Sequence, residues 1–73
     1  MFVKYANLSG NSNVSAFEIG TDYISVIFNN TQKPYVYSYR SAGQFNVEHM
    51  KKLALSGCGL NSFILRYCKY SYE

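Results

Sequence analysis

At 73 residues and 8.3 kDa the chain has room for one small domain, because a chain near this size buries only about 60% of its unfolded surface. Its composition, 48% apolar and 15% charged, is that of a packed domain and excludes a disordered tail. No apolar run approaches the ~20 residues of a membrane-spanning helix. The opening Met1-Phe2-Val3-Lys4-Tyr5 lacks the basic-then-apolar pattern of a secretory signal, so a cytoplasmic location is expected.

The net charge of +3 lies wholly in the second half. Lys4 and Lys33 balance Glu18 and Asp22, whereas Arg40, Lys51, Lys52, Arg66 and Lys69 face only Glu48 and Glu73. Clustered charge of one sign raises the local concentration of the other, which points to an anionic partner. A charge this small also serves solubility alone.

Residues 1–13 read as an N-terminal segment, a short strand followed by a polar, turn-rich stretch over 6–13. Residues 14–73 read as the body of a single domain. Val14 to Ile19 predicts a strand with imperfect alternation, and Gly20-Thr21-Asp22 is turn chemistry. Tyr23 to Phe28 alternates cleanly, with Ile24, Val26 and Phe28 on one face. Asn29 to Lys33 predicts a hairpin loop, and Pro34 opens a third alternating strand through Arg40. Tyr35, Tyr37 and Tyr39 share one side of it.

The period then changes from two to 3.6. Ser41-Ala42-Gly43-Gln44 fits a capping box. In the helix that follows, Ala42, Phe45, Val47, His49, Met50, Leu53 and Ala54 share one arc, with Gln44, Glu48, Lys51 and Lys52 opposite. Asn46 also falls in the apolar arc and needs a partner there, most simply the backbone. Gly57 stands where a left-handed helix stop is wanted. Leu60, Phe63, Ile64 and Tyr67 follow at the spacing of a second amphipathic helix, with a strand over Phe63 to Tyr67 as the alternative. The expected fold is α+β: a small antiparallel meander of three to four strands covered by two amphipathic helices.

Three constellations bear on function. The tyrosines of the third strand are a stacking platform for bases, with Arg40 beside them for a phosphate, or else packing beneath the helices. The turn Gly57-Cys58-Gly59-Leu60-Asn61-Ser62 presents consecutive backbone amides that suit an anion, with Arg66 a turn further on. It equally reads as a plain helix stop and cap. His49 has no Ser or Cys tied to it by a known signature, and the acids form no recognisable pair, so no catalysis is expected. Cys58 and Cys68, the only thiols, stay free in a reducing compartment. With one histidine they fall short of a four-ligand zinc site, so no metal and no cofactor is expected.

From Val14 to Tyr70 the chain resembles the KTSC domain, found at the C-terminus of some lysyl-tRNA synthetases and as a stand-alone small protein. The matching parts are Val14-Ser15, Ile19-Gly20-Thr21-Asp22, the strand residues Ile24, Val26 and Phe28, Tyr35-Val36-Tyr37, and Ala54, Gly57, Asn61 and Ile64. It departs from the family pattern at Thr21, Asn30, Arg40-Ser41 and Gly59-Leu60. The resemblance implies a non-catalytic module touching RNA or nucleotides. Stand-alone forms rich in Asn, Lys, Tyr and Ile look like products of AT-rich bacteriophage genomes, where small proteins sequester the nucleotide signals of host defence.

The expected function is therefore a binding module for a phosphate-bearing ligand, in the form of a nucleotide-sequestering homo-oligomer. An RNA- or tRNA-binding domain and a protein-interaction module are the alternatives. The expected ligand residues are Tyr37, Tyr39, Arg40, Gly57, Gly59, Asn61, Ser62 and Arg66. Two copies are invoked because so small a monomer hardly encloses the ~300–1,000 Å³ of a ligand pocket.

Overall fold

Alternation decides the sheet, and where it falters the backbone bulges. The structure is a computed structural model that describes residues 1–8, 10 and 12–73, so Ser9 and Asn11 of the polar stretch lie outside the described residues. Four antiparallel strands run side by side in chain order: β1 (Val3–Lys4), β2 (Val14–Ile19), β3 (Tyr23–Phe28) and β4 (Tyr35–Ser38). Val14 pairs with Phe28 but Ala16 pairs with Ile27, which leaves Ser15 as an extra residue in β2. That bulge resets the alternation. Val14 and Phe17, three positions apart, are in consequence both buried. Ile24 and Val26 are wholly buried in β3, and their partners across the ladder are Tyr37 and Tyr35.

The N-terminal segment is woven into the same core. β1 pairs with β2, and Tyr5 behind it is buried with its hydroxyl accepting from the Leu60 amide at 3.3 Å. Leu8 donates its amide to the Gly57 carbonyl at 2.7 Å.

β4 stops at Ser38, two residues short of the expected end. The Ser38 hydroxyl accepts from the Ser41 amide at 3.1 Å, and the Ser41 hydroxyl from the Ser38 amide at 3.0 Å. The capping box therefore begins at Ser38 and not at Ser41. It opens a single turn, α1 (Tyr39–Ala42), which Gly43 breaks at φ 91°. The long helix α2 (Gln44–Ser56) follows and ends at Gly57 in the expected left-handed conformation, φ 81°. Asn46 finds the backbone partner its position requires, donating to Ala42 at 3.0 Å.

The buried stripe of α2 is Val47, Met50 and Ala54. Phe45, expected on that arc, is 80% exposed. The apolar residues of α2 spread too far round the helix for one sheet to cover. Lys51 is corrected the other way. Its side chain is mostly covered, with Nζ donating to the Thr21 carbonyl at 3.0 Å and to Glu48 at 2.8 Å.

The last helix is α3 (Leu60–Phe63), continued by a π-helical segment, Ile64–Cys68. Bonds that run i→i+5 widen the turn. The buried positions are Leu60, Ile64 and Cys68, and Tyr67 is left 61% exposed instead of joining the stripe. The alternative strand over Phe63 to Tyr67 does not form. Both cysteines are free, Cys58 exposed and Cys68 buried, with burial holding the Cys68 thiol above its ordinary pKa. The tail returns to β4: Glu73 donates its amide to Val36 at 2.7 Å, and Tyr72 meets Tyr35 edge-on at 4.8 Å.

Gly57 joins these parts, and it tests the packing. A Cβ there would lie 2.8 Å from Ala6 Cβ and 3.2 Å from Leu8 Cγ. Left-handed backbone alone costs a non-glycine residue roughly 1–2 kcal/mol. Gly57→Ala is therefore expected to lower stability by at least about that much, or several degrees in melting temperature for a domain of this size. Thermal and urea melts followed by circular dichroism measure it, and unchanged melts would contradict this packing.

Candidate functional site

The expected ligand residues do not form one site. Tyr37 lies across the ladder from Ile24 and is 1% exposed, so its ring is core and offers no open face for stacking. Desolvation pushes its phenol up to about 12. Tyr39 leaves the strand for α1, where its hydroxyl donates to Glu48 at 2.5 Å. Lys51 and then Tyr39 hold that carboxyl below its usual range, while the same bond raises the Tyr39 phenol. The tyrosine ladder expected beside Arg40 is thus divided between core and helix cap, and Arg40 stands exposed on α1.

The glycine turn is also occupied from within. The Gly57 amide bonds to the Leu53 and Ala54 carbonyls at 3.1 and 3.3 Å, and the Leu60 amide to Tyr5. Two of the amides expected to seat an anion are capped internally, because they stop one helix and start the next. Asn61 lines a separate cleft of about 440 Å³ with Asn13, Asn30, Thr31 and Lys69, where Tyr37 is the one other expected ligand residue in the lining.

Gly59, Ser62 and Arg66 do come together. They line a groove of about 640 Å³ between α2 and the last helix, with His49, Leu53, Phe63 and Tyr67. Along it runs a chain of rings. Phe45 and His49 have centroids 6.2 Å apart and planes within 7°, His49 and Phe63 are 4.6 Å apart, and Phe63 and Tyr67 are 5.0 Å apart. All three spacings fall in the range of interacting aromatic pairs. The pairs at 45 and 49 and at 63 and 67 are i,i+4 neighbours, which meet on a helix surface. His49 also lines a second groove of about 370 Å³ with Gln44, Phe45, Glu48 and Lys52.

This surface combines π faces with positive charge. Arg66 is exposed and makes no ion pair among the described residues. A planar guanidinium with free donors grips a phosphate in two-pronged fashion, and the exposed ring of Tyr67, with the half-buried rings of His49 and Phe63 in the same groove, can take a planar base. Among the described residues no group of three or more His, Cys, Asp or Glu is placed to hold a metal ion, and no helix is long and apolar enough to cross a membrane.

Sequence reasoning read Lys52 correctly as exposed but missed Phe45 and Tyr67 as surface residues and His49 and Phe63 as half-buried groove residues. The signal was present in the two i,i+4 aromatic pairs, but it was absorbed into the buried arcs of both helices. No protein-family model, curated protein or solved structure matches the chain.

The position of Tyr37 has a consequence in alkali. A phenol raised to about 12 in the folded chain against 10.0 when free favours folding fully below pH 10, and that contribution is lost as pH climbs through about 12. Stability is expected to fall over this window, and Tyr37→Phe to flatten the fall. Melting curves of both proteins between pH 9 and 12 decide it; parallel losses would show that Tyr37 is not the group responsible.

Proposed function

We propose that the chain is a non-catalytic binding module for a nucleotide, with the base on the His49, Phe63 and Tyr67 rings and a phosphate on Arg66. The observation that carries this reading is the unbroken ring contact along a groove whose wall includes an exposed guanidinium. Base-on-ring stacking is worth about 1–3 kcal/mol per base and tolerates any base. A phosphate contact adds charge assistance, and neither demands an acid–base pair.

Capture without turnover fits the non-catalytic module that the KTSC resemblance implies and the sequestering role suggested by the likeness to small bacteriophage proteins, with a nucleotide signal of bacterial defence as the ligand. The groove of one copy, at about 640 Å³, is already within the usual size of ligand sites. A second copy is thus not needed to create the site; in a homo-oligomer it would cover the open side. The modest net charge of +3 argues against tracking a long RNA backbone, because affinity there scales with the number of phosphates neutralised.

A thermal-shift screen of the full chain with adenine and guanine nucleotides, cyclic dinucleotides and ADP-ribose tests the proposal. A ligand at 100 times its dissociation constant stabilises by about 2.7 kcal/mol, a shift of several degrees. Arg66→Ala is expected to erase the shift while leaving the unliganded melt within about 0.5 kcal/mol, as exposed substitutions do. The absence of any shift at millimolar nucleotide would overturn the reading, and light scattering reports the oligomeric state in the same samples.

A further inference from the structure

We infer that the site takes two stacked bases joined by a phosphodiester, a dinucleotide unit, and not a single nucleobase; this rests on the nucleotide reading above. The ring run has four members, Phe45, His49, Phe63 and Tyr67, at successive spacings of 6.2, 4.6 and 5.0 Å, and it extends past the first groove, whose lining includes the last three, to Phe45 in the second.

The run also divides into two halves with the same parts. In one, Phe63 and Tyr67 share a groove with Arg66. In the other, Phe45 stands nearly parallel to His49 in a groove with Lys52. Each half holds a pair of rings and one cation. His49 lines both grooves, and its 4.6 Å contact with Phe63 makes them one surface. Glu48 also lines the second groove, but its carboxylate is bound by Lys51 at 2.8 Å, so Lys52 sets the sign of the charge there. Two stacking seats with a cation beside each match two bases carrying two phosphates. One base would leave Phe45 and Lys52 unused.

The same chemistry occurs in a free dinucleotide and in two adjacent residues of single-stranded RNA. His49 is the one histidine of the chain, so its imidazole Cε1–H signal in a proton NMR spectrum reports from the junction of the two halves. Titrating the full chain with AMP, 5′-phosphorylated diadenylate and hexa-adenylate yields three dissociation constants alongside that signal. Diadenylate is expected to bind roughly five- to a hundred-fold more tightly than AMP, the gain from one further stacked base. Phe45→Ala is expected to shrink that ratio toward one, while Phe63→Ala weakens both ligands. Leu55→Ala, an exposed change on α2 outside both grooves, serves as the control.

Hexa-adenylate no tighter than diadenylate identifies a free dinucleotide as the ligand. Tighter binding that falls steeply with salt identifies a stretch of single strand. Equal affinity for AMP and diadenylate, or a Phe45→Ala variant that weakens both by one factor, overturns the inference and leaves the nucleotide reading standing. If neither ligand moves the His49 signal, both fall.

Discussion

The packing of Val47, Met50 and Ala54 onto the sheet is the constraint on which the rest depends. These three side chains are buried in one cluster with Ile24, Val26 and Tyr37, and they set the rotation of α2 about its axis. Once they face inward, Phe45 must point to solvent. Leu60, Ile64 and Cys68 do the same for the last helix, turning Tyr67 outward. A small domain has little sheet to offer and covers only one narrow stripe of each helix. The aromatic residues left over meet along the seam between the helices, so the candidate site is a by-product of how the core is filled.

The tyrosines show the same economy from the sheet side. Tyr37 supplies bulk to the core, as Tyr5 and Phe17 do, among medium-sized aliphatic side chains. Tyr35 lies between the edge of Phe28 at 5.5 Å and Tyr72 from the tail at 4.8 Å. Tyr72 covers the outer edge of the sheet along with the backbone bond from Glu73 to Val36. β4 is an edge strand, and an edge with open hydrogen-bonding groups invites pairing with other chains. Residues 72 and 73 cover part of that edge with one backbone bond and the edge-on contacts of Tyr72 with Tyr35 and Tyr37.

On the proposed reading, the groove serves recognition. Stacking rings and a guanidinium bind planar, phosphate-bearing molecules through their general features, with little preference among bases. Such a surface suits a protein whose work is to hold a ligand. The glycine turn, which looked suited to anions, is spent on joining α2 to the last helix and on docking the N-terminal segment through Leu8 and Tyr5. Of the eight residues expected to bind ligand, only Gly59, Ser62 and Arg66 share the groove.

Local rules were enough for most of the elements. Two-residue alternation marked β3 to the residue, the bounds of β2 matched although a bulge interrupts its alternation, Gly57 marked the end of α2, and the change of period announced both helices. Those features depend on neighbours along the chain, and the chain carries them in plain form. What the sequence could not decide was which side of each helix would face the sheet, because apolar residues at 45, 47, 50, 53 and 54, with His49 among them, span more of α2 than the sheet can cover. It could not place the capping box either, since Ser38 and Ser41 both begin an acceptable start and only the end of the β4 ladder separates them. Tyr37 became core, and Phe45 and Tyr67 became surface, when strands and helices from distant parts of the chain competed for the same small volume. That competition exists only in three dimensions.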